Sequence, residues 1–217
     1  GIVALVPEAE INRIPLLQAA ARRHAIALVG AIFPALLRGD LFVTRGAWLL
    51  SFDNMPAYFL IPEVNTGDGK AADRVIAAVR RELRNSPASG EKPTLFMIFD
   101  SMVPNIASVV DGIYLALANR VEYAGVNAGS ETFQPMPCLF DGERVVGDGL
   151  LGLLLPAGMV PLLAHGFALP ERSMGATATE GNRIATLDWR PAFEVYQEII
   201  KAQFGIELTR DNFYQYA

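Results

Sequence analysis

The stretch "NAGSETF" (127–133) crowds an amide, two hydroxyls and a carboxylate around one flexible glycine. Asn127, Ser130 and Thr132 can each donate and accept hydrogen bonds, Glu131 supplies an anionic acceptor, Gly129 lets the backbone turn, and Phe133 adds an apolar contact. Asp100 and Ser101 close another apolar run, "TLFMIFDS" (94–101), in the same part of the chain. Together these residues could hold a small zwitterion such as an amino acid, with Glu131 or Asp100 meeting its ammonium group and the hydroxyls its carboxylate. The plainer reading is a polar loop that caps the turn after it. A third, from another class, is a small-molecule hydrolase using Asp100, Ser101 and Glu131.

His165 is the other chemically conspicuous residue. It lies between Ala164 and Gly166 in a very apolar run, where an imidazole needs a partner or a purpose. As a neutral ring it could ligate haem iron, with Gly166 leaving room for the macrocycle. A core histidine hydrogen-bonded to backbone is the favoured alternative, and the expectation is no cofactor, with haem as the rival. His24 closes a helix and is read as a cation at its C-terminus.

Other chemistry is excluded or unsupported. "GDGK" (67–70) lacks the glycine spacing and the following Ser/Thr of a phosphate loop, and Ser130 is not in a Gly-x-Ser-x-Gly elbow. No cluster has metal-ligand spacing. The single cysteine, Cys138 in "MPCLF", excludes an internal disulfide and a cysteine-rich zinc site, and reads as a buried, inert thiol. A net charge of −5 argues against a broad nucleic-acid footprint or an electrostatic membrane patch. Trp48 and Trp189 read as packing residues. The chain opens in a strand-like run without a basic-then-apolar leader, as a fragment of a longer protein also would. A non-enzymatic, cytoplasmic protein is expected.

The elements that must position these groups follow from hydrophobic period. "GIVALVP" (1–7) and "AIALVGAIF" (25–33) are short apolar runs suited to buried strands, and "NRIPLLQAAARRH" (12–24) between them suits a helix. Asn12 is its expected N-cap, and Arg22, Arg23 and His24 complement its C-terminal dipole. "LFVTRGAWLLSF" (41–52) and "AYFLIPEV" (57–64) read as two strands joined by the turn "DNMP". The helix at 68–86 places Ala72, Val75, Ile76, Val79 and Leu83 on one face, and "SPASGEKP" (86–93) reads as a linker.

The order then recurs. A strand at 94–100 is followed by a helix at 105–121 with Ile106, Val109, Val110, Ile113 and Leu117 inward, then by strands at 123–129, 138–156 and 159–167. A hairpin around Glu180-Gly181-Asn182 and a closing helix at 190–205 complete it. The fold class is therefore α/β: two related βαβββ-type lobes with mixed β-sheets and flanking helices, an internal duplication. The expected divisions are a first lobe at 1–90, a second at 91–205, and a remainder at 206–217.

The run "GLLGLLLPAGMVPLLAHGFALP" (149–170) is long enough to cross a bilayer as a helix. Its counterpart in the first half carries Asp53 and Asn54 at its centre, which a spanning helix would accommodate only at high cost. The run is therefore read as two core strands, Leu150–Leu155 and Val160–His165, without membrane insertion.

The second half resembles the FIST domain family of bacterial and archaeal sensory modules. The likeness rests on "YAGVNAGSETF" (123–133), "LFDGERVVGDGLLGLLLP" (139–156), "AHGF" (164–167) and "TEGNRIATLDWRPAFEVYQEI" (179–199), in that order and spacing. "GIVALVPEAEIN" and "ALVGA" in the first half fit less sharply, and "GAIFPALL" (30–37) stands where the family has a small, polar, Gly-rich segment. The resemblance implies a ligand-sensing input domain for an output partner such as a histidine kinase, chemoreceptor or cyclic-nucleotide enzyme. It implies small ligands such as amino acids, or haem and nitric oxide in some relatives. It also makes "IELTRDNFYQYA" (206–217) the entrance to a separate C-terminal domain.

Overall fold

Valine, isoleucine and leucine dominate the first strand, β1 (Ile2–Pro7), because it is covered on both faces. A computed structural model describes residues 1–64, 67–85, 92–132, 134–158, 173–180, 183–213 and 216. The chain falls into two units, Gly1–Leu162 and Leu163–Ala217, and its class is α/β.

In the first unit β1 is followed by α1 (Ile14–Arg23), β2 (Leu28–Phe33), β3 (Leu36–Arg38), β4 (Leu41–Val43), β5 (Trp48–Ser51), β6 (Ala57–Ile61) and α2 (Ala71–Asn85). Next come β7 (Thr94–Asp100), α3 (Ile106–Leu117), β8 (Glu122–Ala128), β9 (Leu139–Asp141), β10 (Val145–Val146) and β11 (Leu150–Leu155). β1 and β2 pair in parallel with α1 between them in sequence, and β5 lies antiparallel on the other side of β1. β7 and β8 pair in parallel around α3, with β11 antiparallel to β7.

Beyond these trios the halves exchange strands. The first sheet has the order β10-β9-β2-β1-β5 and the second β6-β11-β7-β8, so each takes strands from both 1–90 and 91–205. β11 sits between β6 and β7, so Leu150–Leu155 is a central strand, as the sequence implies. Its expected neighbour at 159–167, with His165, lies outside the described residues, as do the Gly181-Asn182 turn and 86–91 of the expected linker.

The two sheets stack face to face. Val3, Val29, Ala31 and Leu139 of the first share a core with Ile98, Ala128, Leu151 and Leu153 of the second. α1 covers the first sheet's outer face through Ile14 and Ala21. α2 and α3 cover the second sheet's outer face through Val75, Val79, Val109, Ile113 and Leu117, residues on the stripes their 3.6-residue period implies. Each large side chain so buried contributes about 1.5–3 kcal/mol. Gln18, buried on α1, is satisfied across the chain: its Nε2 donates to the carbonyls of Asp141 and Arg144, at 2.8 and 3.2 Å.

Several local expectations need correction. Asn12 is not the N-cap of α1. It lies in a 3-10 turn over Glu8–Arg13, and Arg13 occupies the cap position. Residues 41–52 are not one strand, because Gly46 at φ +92 breaks the run into β4 and β5, and β4 pairs with the unforeseen β3. β5 and β6 do not form a hairpin, since the turn after Ser51 carries the chain from one sheet to the other. The α-helix expected to run to 121 gives way after Leu117 to a 3-10 turn over Ala118–Arg120, with Ala118 at φ +45. Trp48 and Trp189 are not buried packing residues, being 46% and 84% exposed.

The second unit holds β12 (Ala176–Glu180), β13 (Arg183–Leu187), β14 (Arg190–Pro191) and α4 (Ala192–Phe204). β12 and β13 form the expected antiparallel ladder. α4 ends at Gly205 in the left-handed conformation, whose N–H satisfies the Lys201 carbonyl at 3.0 Å. Among the described residues, no helix is long and apolar enough to cross a membrane.

Candidate functional site

Parallel strands deliver their carboxyl ends to one edge of a sheet, and loops at that edge are where ligands collect in α/β folds. The carboxyl ends of both parallel pairs meet here. The Gly129 N–H, just past β8, donates to the Ile32 carbonyl near the end of β2, at 2.9 Å. The Ser101 N–H, just past β7, donates to the Ala128 carbonyl at 2.9 Å. Gly129 is needed at this crossing: its φ is +141, and a Cβ there would lie 2.7 Å from Ser101 Oγ.

From this crossing the loop builds a polar knot. Ser130, buried, donates from Oγ to Glu8 Oε1 at 2.9 Å, and its Oγ also lies 2.8 Å from Thr132 Oγ1. The Thr132 N–H donates to Ser130 Oγ at 3.1 Å. Ser130 and Thr132 are thus brought together, with Ser101 beside Gly129. Glu131 is exposed, and its carboxylate bonds to no described residue. Phe133 lies outside the described residues. Glu8 was missed in the sequence, although "VPEAE" places it directly after β1, where the strand-end rule would have found it.

Asp100 faces elsewhere. It is 2% exposed, with Oδ1 accepting the Met102 N–H at 2.9 Å and Oδ2 the Asp148 N–H at 2.7 Å. The Cys138 thiol also hydrogen-bonds this carboxylate. Burial pushes the Cys138 thiol far above its ordinary value, and the charge and hydrogen bond of Asp100 raise it further, so it stays protonated and inert. The carboxylate is therefore engaged by the chain's own donors rather than by the Ser101 hydroxyl.

Asn127 belongs to an adjoining cavity of about 390 Å³ between the outer strand β8 and α3. Its wall includes Met97, Phe99, Ile106, Val110 and Tyr123, with Asn127 lining the end where β8 runs into the loop. Gly125 permits the close approach of β8 to β7 along this wall: a Cβ there would lie 2.6 Å from the Met97 carbonyl oxygen. The arrangement offers an apolar groove beside a loop carrying one uncommitted carboxylate. It is suited to binding, and the Ser130 hydroxyl, which hydrogen-bonds the Glu8 carboxylate, is buried in the knot.

His24 occupies the C-cap position of α1 and is exposed. His165, the residue that a haem reading needs, is outside the described residues. Among those described, no group of acidic, cysteine and histidine side chains could hold a metal ion.

The model of one family, the FIST N domain, matches residues 2–190. No curated protein and no solved structure matches the chain.

Proposed function

Since the chain belongs to the FIST N domain family, a family of sensory domains, we propose that it is the ligand-binding input of a signal-transduction protein and that it senses an amino acid. The observation that carries this is the pairing of the apolar groove at Asn127 with the exposed, unpartnered Glu131 at the converging strand ends. The ligand's side chain lies in the groove, Glu131 meets its ammonium group, and the loop's backbone and hydroxyl groups meet its carboxylate. Ser130 and Glu8 hold the loop, and Asp100 and Gly129 fix its entry. The output partner is a signalling domain or protein such as a histidine kinase, reached in the cytoplasm.

A thermal-shift screen of amino acids tests the reading, because a ligand that binds only the native state raises its apparent stability. At least one amino acid should raise the midpoint of the native protein and fail to raise that of Glu131→Ala. The substitution itself should change stability by no more than about 0.5 kcal/mol, as is usual for an exposed loop position. An equal ligand-induced shift in the variant would remove Glu131 from the site.

A further inference from the structure

A second opening, of about 290 Å³, lies on the first sheet between α1 and the turn that leads into β5. This volume is close to the lower end for small-molecule sites, roughly 300 Å³. Val6, Ile14, Leu17 and Leu49 give it an apolar wall, and its charged groups are Glu10 and Arg13.

The two charges are not equally committed. Glu10 Oε2 accepts Arg13 Nε at 2.7 Å, and Glu10 Oε1 accepts the Gly46 N–H at 3.3 Å. Both carboxylate oxygens are thus occupied. The two Nη groups of Arg13 bond to no described residue, and the side chain is 75% exposed. A guanidinium held by its Nε edge keeps its Nη edge free for a second carboxylate, in the two-point geometry that arginine favours. An amine ligand would meet the reverse situation, a carboxylate already filled and a neighbouring positive charge.

We propose that this cavity binds a small apolar carboxylic acid. The acid's tail lies against Ile14, Leu17 and Leu49, its carboxylate takes the Nη groups of Arg13, and Glu10 acts as the positioning residue that holds Arg13 in place. The site is separate from the strand-end loop and does not depend on the reading given to that loop.

The test is an NMR titration of the ¹⁵N-labelled protein with hexanoate, with hexanol as the uncharged control. Hexanoate should give saturable shifts of the Gly46, Ala47 and Leu49 amides. Hexanol should bind more weakly by about tenfold or more, a factor worth 1.4 kcal/mol. Arg13→Gln should weaken hexanoate by a similar factor and leave hexanol unchanged, with an unaltered thermal midpoint because the side chain is exposed. Arg13→Lys, which keeps the charge and loses the fork, should fall between. Absence of saturable shifts, equal affinity for hexanol, indifference to Arg13→Gln, or shifts confined to residues 129–132 would each overturn the proposal.

Discussion

Removing the Asp100 side chain should unfold the protein more readily than any change in the exposed loop beside it. Its carboxylate is buried and accepts two backbone N–H groups, from Met102 at 2.9 Å and Asp148 at 2.7 Å, as well as the Cys138 thiol. Hydrogen bonds to a charged group contribute about 1.5–3 kcal/mol each, and donors stranded in the interior keep their desolvation cost. The two backbone bonds are not fully additive, so Asp100→Ala is expected to lose about 3–5 kcal/mol. Asp100→Asn should also be costly, since one of its two side-chain positions must then present N–H to an N–H. Urea unfolding followed by circular dichroism measures this, as a lower midpoint with an unchanged slope. A stability loss below about 1 kcal/mol for Asp100→Ala, a typical surface-scale effect, would refute the structural role assigned to this carboxylate.

Other substitutions probe the frame around the site. Gly129→Ala should destabilise by more than 1 kcal/mol (about 1–3), because the position combines φ +141 with a 2.7 Å approach to Ser101 Oγ, and a Ser101→Gly background should recover part of the loss in thermal unfolding. Gln18→Ala should cost about 1–3 kcal/mol in urea unfolding by removing the side-chain donor to the Asp141 carbonyl, while the Arg144 carbonyl keeps the Asp141 N–H at 3.1 Å. Trp189→Gly should stabilise the second unit by about 1 kcal/mol, read as slower hydrogen exchange in β12 and β13, because Trp189 holds φ +66 with an almost fully exposed ring. Asp141 is the place to look for acid sensitivity. Burial raises its carboxyl pKa, but hydrogen bonds from the Glu143 and Arg144 backbone and the Arg144 side chain outweigh this and lower it. A carboxyl lowered in the folded state contributes stability that is complete above its unfolded pKa and lost as pH falls through the folded value. Asp141→Asn should accordingly flatten the acid limb of the stability curve below the usual carboxylate range.

Local chemistry in the sequence located the strand-end loop, because "TLFMIFD" and "YAGVNAG" are apolar runs whose polar sequels must fall at strand ends. The face assignments of α2 and α3 were legible for the same reason: a helical stripe depends only on near neighbours in sequence. Partner choice between strands was not legible. β6 and β9 carry no mark saying that each will join the sheet founded by the other half, since that choice depends on which apolar faces meet in the packed chain. Asp100 shows the same limit at one side chain. A carboxylate at a strand end looks alike whether it faces solvent or a distant loop, and its second backbone donor, Asp148, is 48 residues away. The two tryptophans were misread because exposure is a property of what packs over a residue, and size alone says little about that.

The measurement closest to the central claim is an NMR titration of the ¹⁵N-labelled protein with each amino acid in turn, following the amides of Asn127 and Gly129–Thr132. The account predicts that at least one amino acid shifts these amides saturably and that Glu131→Ala abolishes the shifts while the spectrum remains that of a folded protein. Saturable binding that leaves these amides unmoved, or no binding by any amino acid, would contradict it.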